Sequence, residues 1–268
     1  MQRCNSFAVV VGSLAACLIT TNSQAQSAFA GFYGQVSTGY ESNQLGSMSG
    51  SSNVIPYAKS DTTNTGPSQT FGGAPLVLGA GYYWQANDKW LIGLGADYSA
   101  LSQTSSTFTK DATNAPGNTA IAAGTKLTSN GSSMQLSNRF NLFITPAYAI
   151  DKDKLVYLKA GYSQVTVQNN HPTSLTRTAN GVSTTTATAE GTSSSNQGGY
   201  LIGLGYKQII TSGLYGFVEG NYMSYSAPSD NYSFNSSAGV KSASARTVSA
   251  SFSSLSTFQA LIGLGYAF

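Results

Sequence analysis

The stretch Thr257-Phe258-Gln259-Ala260-Leu261-Ile262-Gly263-Leu264-Gly265-Tyr266-Ala267-Phe268 alternates with period two. Phe258, Ala260, Ile262, Leu264, Tyr266 and Phe268 fall on one face; Thr257, Gln259, Gly263, Gly265 and Ala267 fall on the other. A helix of 3.6-residue period cannot sort residues in this way, so the stretch reads as a strand with one greasy face and one slim or polar face.

The same reading extends upstream. Leu76, Leu78, Ala80, Tyr82 and Trp84 oppose Val77, Gly79, Gly81 and Gln85, and Trp90, Ile92, Leu94, Ala96 and Tyr98 oppose Gly93, Gly95, Asp97 and Ser99. Noisier alternation runs over 30–41, 133–150, 154–168, 197–210 and 214–226, which brings the number of segments to eight. The pentapeptide Leu-Ile-Gly-Leu-Gly recurs at Leu91, Leu201 and Leu261, one local solution reused on three strands.

Spacing between the segments carries the topology. Three connections are tight, Ala86-Asn87-Asp88-Lys89, Asp151-Lys152-Asp153 and Thr211-Ser212-Gly213, and they alternate with four long ones at 42–73, 101–132, 169–196 and 227–253. The tight ones have turn chemistry, and the long ones are rich in Ser, Thr, Asn, Gly and Ala. Loops of that length count against a compact soluble domain, whose connections have a median near 4–6 residues.

Charged residues are only 9% of the chain, against ~25% in soluble domains. No apolar run after the first 25 residues reaches the ~20 residues of a membrane helix. Lipid forbids unpaired backbone groups, and a closed barrel pairs them between strands that each need one apolar face. The expected fold is therefore all-β: an eight-stranded antiparallel up-and-down transmembrane β-barrel, monomeric, with three short periplasmic turns and four long extracellular loops.

The ending Gly263-Leu264-Gly265-Tyr266-Ala267-Phe268 resembles the terminal signature of bacterial outer-membrane barrels, in which Phe closes the chain and another aromatic precedes it by two residues. By length and loop pattern the chain is similar to the OmpA-transmembrane, OmpX and opacity-type barrels of the porin-like outer-membrane proteins. It departs from full-length OmpA in having no peptidoglycan-binding domain. The resemblance implies a Gram-negative outer-membrane location and a structural or surface-interaction role at the cell surface. It also implies recognition of Gly263, Tyr266 and Phe268 by the barrel-assembly machinery, and lipopolysaccharide among the surrounding lipids.

Residues 1–25 read as a secretory signal peptide: Arg3 precedes an apolar run from Phe7 to Ile19, and Ser23 and Ala25 supply small residues for cleavage after Ala25, with Ala30 as a second choice. Residues 26–268 are then the barrel. Leu14-Ala15-Ala16-Cys17 also resembles a bacterial lipobox, which would lipidate Cys17 instead. Both cysteines, Cys4 and Cys17, lie in this segment, so the mature chain offers no disulfide, thiolate metal site or cysteine nucleophile. Its net charge of +2 gives no reason to expect nucleic acid.

Alternation sends five charges inward: Asp97, Arg139, Lys159, Lys207 and Glu219. Buried charges need partners. The hairpin at 211–213 sets Lys207 diagonally near Glu219, and the strands of Asp97 and Arg139 are neighbours in a register the spacing leaves open, so the five charges are expected to form a lumenal salt-bridge cluster similar to that of OmpA-type barrels. Its alternatives are an ion gate and a satisfied polar filling, and eight strands favour the filling. Trp84, Trp90 and Tyr206, with Tyr266 and Phe268, form one interfacial aromatic girdle at the periplasmic rim.

Enzymatic outer-membrane barrels resemble one another in needing His with Ser or Asp. Here the single histidine, His171, precedes Pro172, with Ser174 close in sequence, and a third orienting group is not evident. No zinc spacing, phosphate loop or paired-carboxylate motif stands out, so no catalytic residue, cofactor or metal is expected. Lys59, Lys110, Lys126, Arg177, Lys241 and Arg246 dot the loops, which suit a hydrated surface touching lipopolysaccharide, an unidentified extracellular ligand, or no ligand at all. The remaining functional alternatives are a narrow pore for small solutes and a lipid-modifying enzyme.

Overall fold

The computed structural model describes residues 27–54, 60–114, 125–187, 191–236 and 244–268. The expected signal peptide with Ala25, the lipobox Cys17, Lys59 and Lys241 lie outside them. Among the described residues the chain is all-β: β1 (Gly31–Leu45), β2 (Met48–Val54), β3 (Ser60–Gly66), β4 (Gln69–Gly73), β5 (Leu76–Gln85), β6 (Trp90–Ser99), β7 (Gln103–Thr104), β8 (Phe108–Asn114), β9 (Lys126–Ala149), β10 (Lys154–Asn170), β11 (Ser174–Ala179), β12 (Val182–Ala187), β13 (Thr192–Thr211), β14 (Leu214–Tyr225), β15 (Ser229–Ser236), β16 (Ser244–Phe252) and β17 (Leu255–Ala267).

Eight of these close a ring of antiparallel pairs. β1 pairs with β5, β5 with β6, β6 with β9, β9 with β10, β10 with β13, β13 with β14, β14 with β17, and β17 returns to β1. Closure removes every edge from this part of the sheet, which is what backbone in lipid requires. The tight turns fall at one end. Asn87 accepts backbone hydrogen bonds from Lys89 and Trp90 in the first, and Asp151 accepts one from Asp153 in the second. Thr211 belongs to β13, so the third turn is only Ser212-Gly213, both with positive φ, as a two-residue hairpin demands.

The long connections at 42–73, 101–132, 169–196 and 227–253, expected as loops that could extend the strands or hide a hairpin, are largely strand among the described residues. They carry nine further strands and lengthen the ring strands as well, β9 to 24 residues and β13 to 20. These build an outer tier in which β15, β16, β2, β3, β8, β9, β11 and β12 pair in that order. Their buried faces mix Lys110 and Ala112 with Phe108, and Val248 and Ala250 with Phe252, and Ser, Thr and Asn fill most of the remaining positions, so the period-two apolar signal is weak there. Asn180-Gly181, both left-handed, turns β11 into β12.

One slip explains why the face of β9 is hard to read from sequence. Met134 and Leu136 point inward at even positions, whereas Arg139, Asn141 and Phe143 point inward at odd ones. The phase changes at Asn138, which has φ of 50° and lies where the register between β9 and β10 shifts. An extra residue in one strand turns every later side chain to the opposite face.

The outward wall of the ring is apolar. Each ring strand presents at least one large side chain to the surroundings: Val36, Leu78, Leu94, Ile144, Leu158, Leu204, Val218 and Ile262, with Leu204 65% exposed. Trp84, Trp90, Tyr266 and Phe268 stand exposed at the turn end, and Tyr206 is half-buried there. A second set of exposed aromatics, Tyr40, Tyr98, Phe140, Tyr162, Tyr200, Tyr222 and Phe258, lies towards the other end. Phe32 and Tyr40, Trp90 and Tyr98, and Phe258 and Tyr266 are eight residues apart on their strands. Eight residues span roughly 27 Å of strand, or ~21 Å once tilted, close to the ~25 Å apolar band of an outer-membrane wall.

Candidate functional site

The interior of the ring is filled in layers, and glycine makes the filling possible. A Cβ on Gly93 would collide with Tyr83, on Gly95 with Tyr33 and Phe143, on Gly205 with Tyr157, on Gly263 with Phe217 and on Gly265 with Tyr215. These are five of the six glycines of the recurring pentapeptide; the sixth, Gly203, faces the Asn221 side chain. The repeat therefore has a packing reason: five of its six small inward positions receive an aromatic ring from another strand and the sixth receives an amide, while its Ile and second Leu remain on the outward wall.

At the turn end Tyr33, Tyr83, Tyr157, Tyr215 and Phe217 form a buried cluster with Phe29, Leu91 and Leu155. Lys207 lies among these rings. Its Nζ is 4.1 Å from the centre of Tyr33 and 4.8 Å from that of Tyr215, and it donates to Gln35 Oε1 at 3.1 Å. The ring quadrupoles and the amide oxygen hold this ammonium. The expected pair Lys207–Glu219 is thus corrected. The diagonal position holds, since Gly205 faces Glu219 and Lys207 faces Phe217, but the side chain turns towards the aromatics.

Above them Lys159 joins two carboxylates, Asp97 Oδ2 at 2.6 Å and Glu219 Oε1 at 3.0 Å. Asn141 donates to Asp97, and Tyr157 and Asn221 donate to Glu219. All three ionic groups are buried. The hydrogen-bond donors around each carboxylate replace the water that burial removes.

Arg139 is held one layer further out: the register sets Asp97 opposite Asn141 and Arg139 opposite Ser99, so the two charges do not meet. Its guanidinium binds Glu41 Oε2 at 2.5 Å and also donates to Tyr225, Asn43 and Thr257. Gln259 and Asn43 donate to the same carboxylate. Glu41 was missed because its segment was expected to end there; the polar alternation Ser37, Glu41, Asn43 continues inward to Leu45 and marks the longer strand. Beyond this layer a second apolar cluster, including Leu45, Met48, Phe108, Met134, Leu136, Val165, Phe252 and Leu255, joins the ring to the outer tier.

Arg177 lies on β11 and Lys126 on β9, where Lys126 pairs with Asp111 at 3.1 Å. Lys110 is buried on β8, 3.8 Å from Asp230 Oδ2. This second ionic cluster was not legible in the sequence, because it assembles from four separate segments. Ser193 Oγ donates to Asp230 Oδ1 at 2.6 Å, and His171 Nε2 lies 3.6 Å from that oxygen and 3.4 Å from Ser193 Oγ. Burial holds the His171 imidazole and the Lys110 ammonium below their ordinary ranges, with Asp230 opposing both shifts. Ser174 instead pairs with Asn130 across the β11–β9 ladder. A serine hydrolase needs one imidazole nitrogen for Ser and the other for the carboxylate. Here the same nitrogen faces both groups, an arrangement that ties β13 and β15 to the segment of His171.

No family model and no curated protein sequence matches the chain. Solved structures with a similar outline include the outer membrane protease OmpT from Escherichia coli, at 11% identity and a TM-score of 0.43, covering 92% of this chain and 99% of that one. OprG from Pseudomonas aeruginosa matches at 14% identity and a TM-score of 0.41, over 89% and 96% of the two chains. The attachment invasion locus protein Ail of Yersinia pestis matches at 10% and 0.32, over 86% and 99%. Each is a protein this chain resembles in outline, and none of them lends it an activity.

Proposed function

We propose that the chain is an eight-stranded β-barrel of a bacterial outer membrane, with the tight turns in the periplasm and the outer tier outside the cell. In this reading it acts as a structural and surface-interaction protein. The observation that carries it is the inversion of sides: large apolar residues face outward on every ring strand, while six charged residues are buried inside. Water would not tolerate that outward wall, whereas acyl chains match it.

The same inversion bears on the pore alternative. Five aromatic side chains and Lys207 fill the axis at the turn end, and two apolar clusters enclose the ionic layers. An eight-strand ring has an interior just wide enough for its own side chains. We assign no catalytic residue, metal or cofactor. Lipopolysaccharide and other lipids are the partners of the wall, and the exposed edge-to-face pair Tyr266 and Phe268 stands where assembly machinery would meet the last strand.

Cell fractionation with alkaline extraction tests the location, and planar-bilayer recording tests the closed interior. The expected result is a protein retained in the outer-membrane fraction that inserts with no sustained conductance. Recovery as a water-soluble protein would overturn the reading, and a stable open channel would overturn the closed interior.

A further inference from the structure

Strand β12 is the last strand of the outer tier. Among the described residues it pairs only with β11, in the register Val182 to Ala179 through Ala187 to Ser174. Its sequence, Val182-Ser183-Thr184-Thr185-Thr186-Ala187, has four β-branched residues, no charge and no proline. Both faces are solvated, with Val182 68% exposed. Soluble and surface proteins blunt such edges with Lys, Pro or a bulge, because a bare edge templates another strand. None of those devices is present on β12.

The hairpin determines which groups the edge offers. Across a two-residue turn, Ala179 and Val182 exchange backbone hydrogen bonds, and the pattern then alternates. Ser183 and Thr185 therefore sit at non-bonded positions, where side chains approach most closely. Their hydroxyls do lie 2.9 Å from those of Thr178 and Thr176. At these two residues, and at Ala187, the backbone N–H and C=O point away from β11.

The free side can repeat with a copy of itself what the paired side already makes. About a two-fold axis through Thr185, Thr185 faces Thr185, Thr184 faces Thr186 and Ser183 faces Ala187. The matches are small or hydroxylic, and no like charges meet. Membrane geometry separates two arrangements, of which the antiparallel one repeats the ladder already formed with β11. Within one membrane a two-fold axis runs along the normal, so edges that rise from the bilayer meet parallel. Between two facing membranes the axis lies in the plane between them, and the edges meet antiparallel.

We propose that the free edge of β12 pairs antiparallel with the β12 edge of a second copy held in an opposing membrane. The protein then acts as a homotypic tether between outer-membrane surfaces. This inference rests on the membrane-barrel reading and adds its partner to it.

The test uses vesicles of phosphatidylcholine carrying the purified protein, with clustering followed by turbidity. Wild-type vesicles cluster with one another. Thr185→Lys vesicles stay dispersed, because two ammonium groups face each other on the axis; Thr185→Glu vesicles stay dispersed for the same reason, and mixing the two restores clustering. Heat-modifiable gel migration shows that each variant is folded. Dispersed wild-type vesicles, or variants that cluster alone as wild type does, would overturn the tether and leave the barrel reading intact. Failure of the wild-type chain to insert into the vesicles at all would overturn the barrel reading instead.

Discussion

The ammonium of Lys159 on β10 lies 2.6 Å from the carboxylate of Asp97 on β6, and the two strands are separated by β9. The contact therefore crosses the interior of the ring instead of following a ladder. With Glu219 added from β14, a single cation braces strands on opposite sides.

Replacing Lys159 with Met leaves two carboxylates buried without their cation, and breaking a buried pair in this way costs about 3–5 kcal/mol. Urea unfolding in detergent micelles should show a matching fall in midpoint. Combining Lys159→Met with Asp97→Asn and Glu219→Gln should recover part of it. An unchanged midpoint in the single variant would mean the charges are solvated in the folded protein.

Gly265 lies so close to the Tyr215 ring that an added methyl has no room. Gly265→Ala should destabilise the ring by roughly 1–3 kcal/mol, as overpacking does. The double variant with Tyr215→Leu should be more stable than the sum of the single effects predicts. Strict additivity in the same unfolding assay would remove the packing reason for the repeated glycines.

Replacing Tyr33, Tyr157 and Tyr215 together with Ala removes the rings around Lys207. Planar-bilayer recordings should then show conductance events that the wild-type protein lacks. Silence in a variant that still inserts would place the closure elsewhere along the axis.

Burial disfavours protonated His171, so its pKa is lower in the folded chain than the ~6.5 of the unfolded one. The unfolded state then binds more protons between those two values. This stability is complete above about pH 6.5 and is lost as pH falls through the folded value. Hydrogen-exchange protection factors, taken relative to the pH-dependent intrinsic rates, should fall below about pH 6.5 at the backbone of β15 and at the start of β13, and His171→Gln should flatten that dependence. Asp230, Ser193 and Lys110 are the polar groups around the imidazole in this test. A pH profile identical in wild type and variant would contradict it.

Predicting the ring from sequence works where one face of a strand is apolar. Leu91 to Gly95 and Leu261 to Gly265 alternate cleanly because lipid-facing and interior positions demand different side chains. The outer tier is harder to read by the same logic, since β12 is hydroxyl-rich on both faces and the buried faces of the other tier strands mix Ala, Lys and Ser with a few large apolar residues. Arg139 shows a second limit: alternation says which face it lies on, but its partner Glu41 lies 98 residues away.

Local chemistry along the chain decided the period-two strands, the tight turns and the sides on which charges and glycines fall, because each depends on neighbours one or two residues apart. Closure of the ring decided the rest. Which carboxylate meets Lys159, why Lys207 turns to aromatic rings, and how His171 reaches Asp230 all depend on which strands the closed ring and the outer tier bring together. Residues separated by scores of positions meet across an axis, and no spacing in the chain encodes the distance between them.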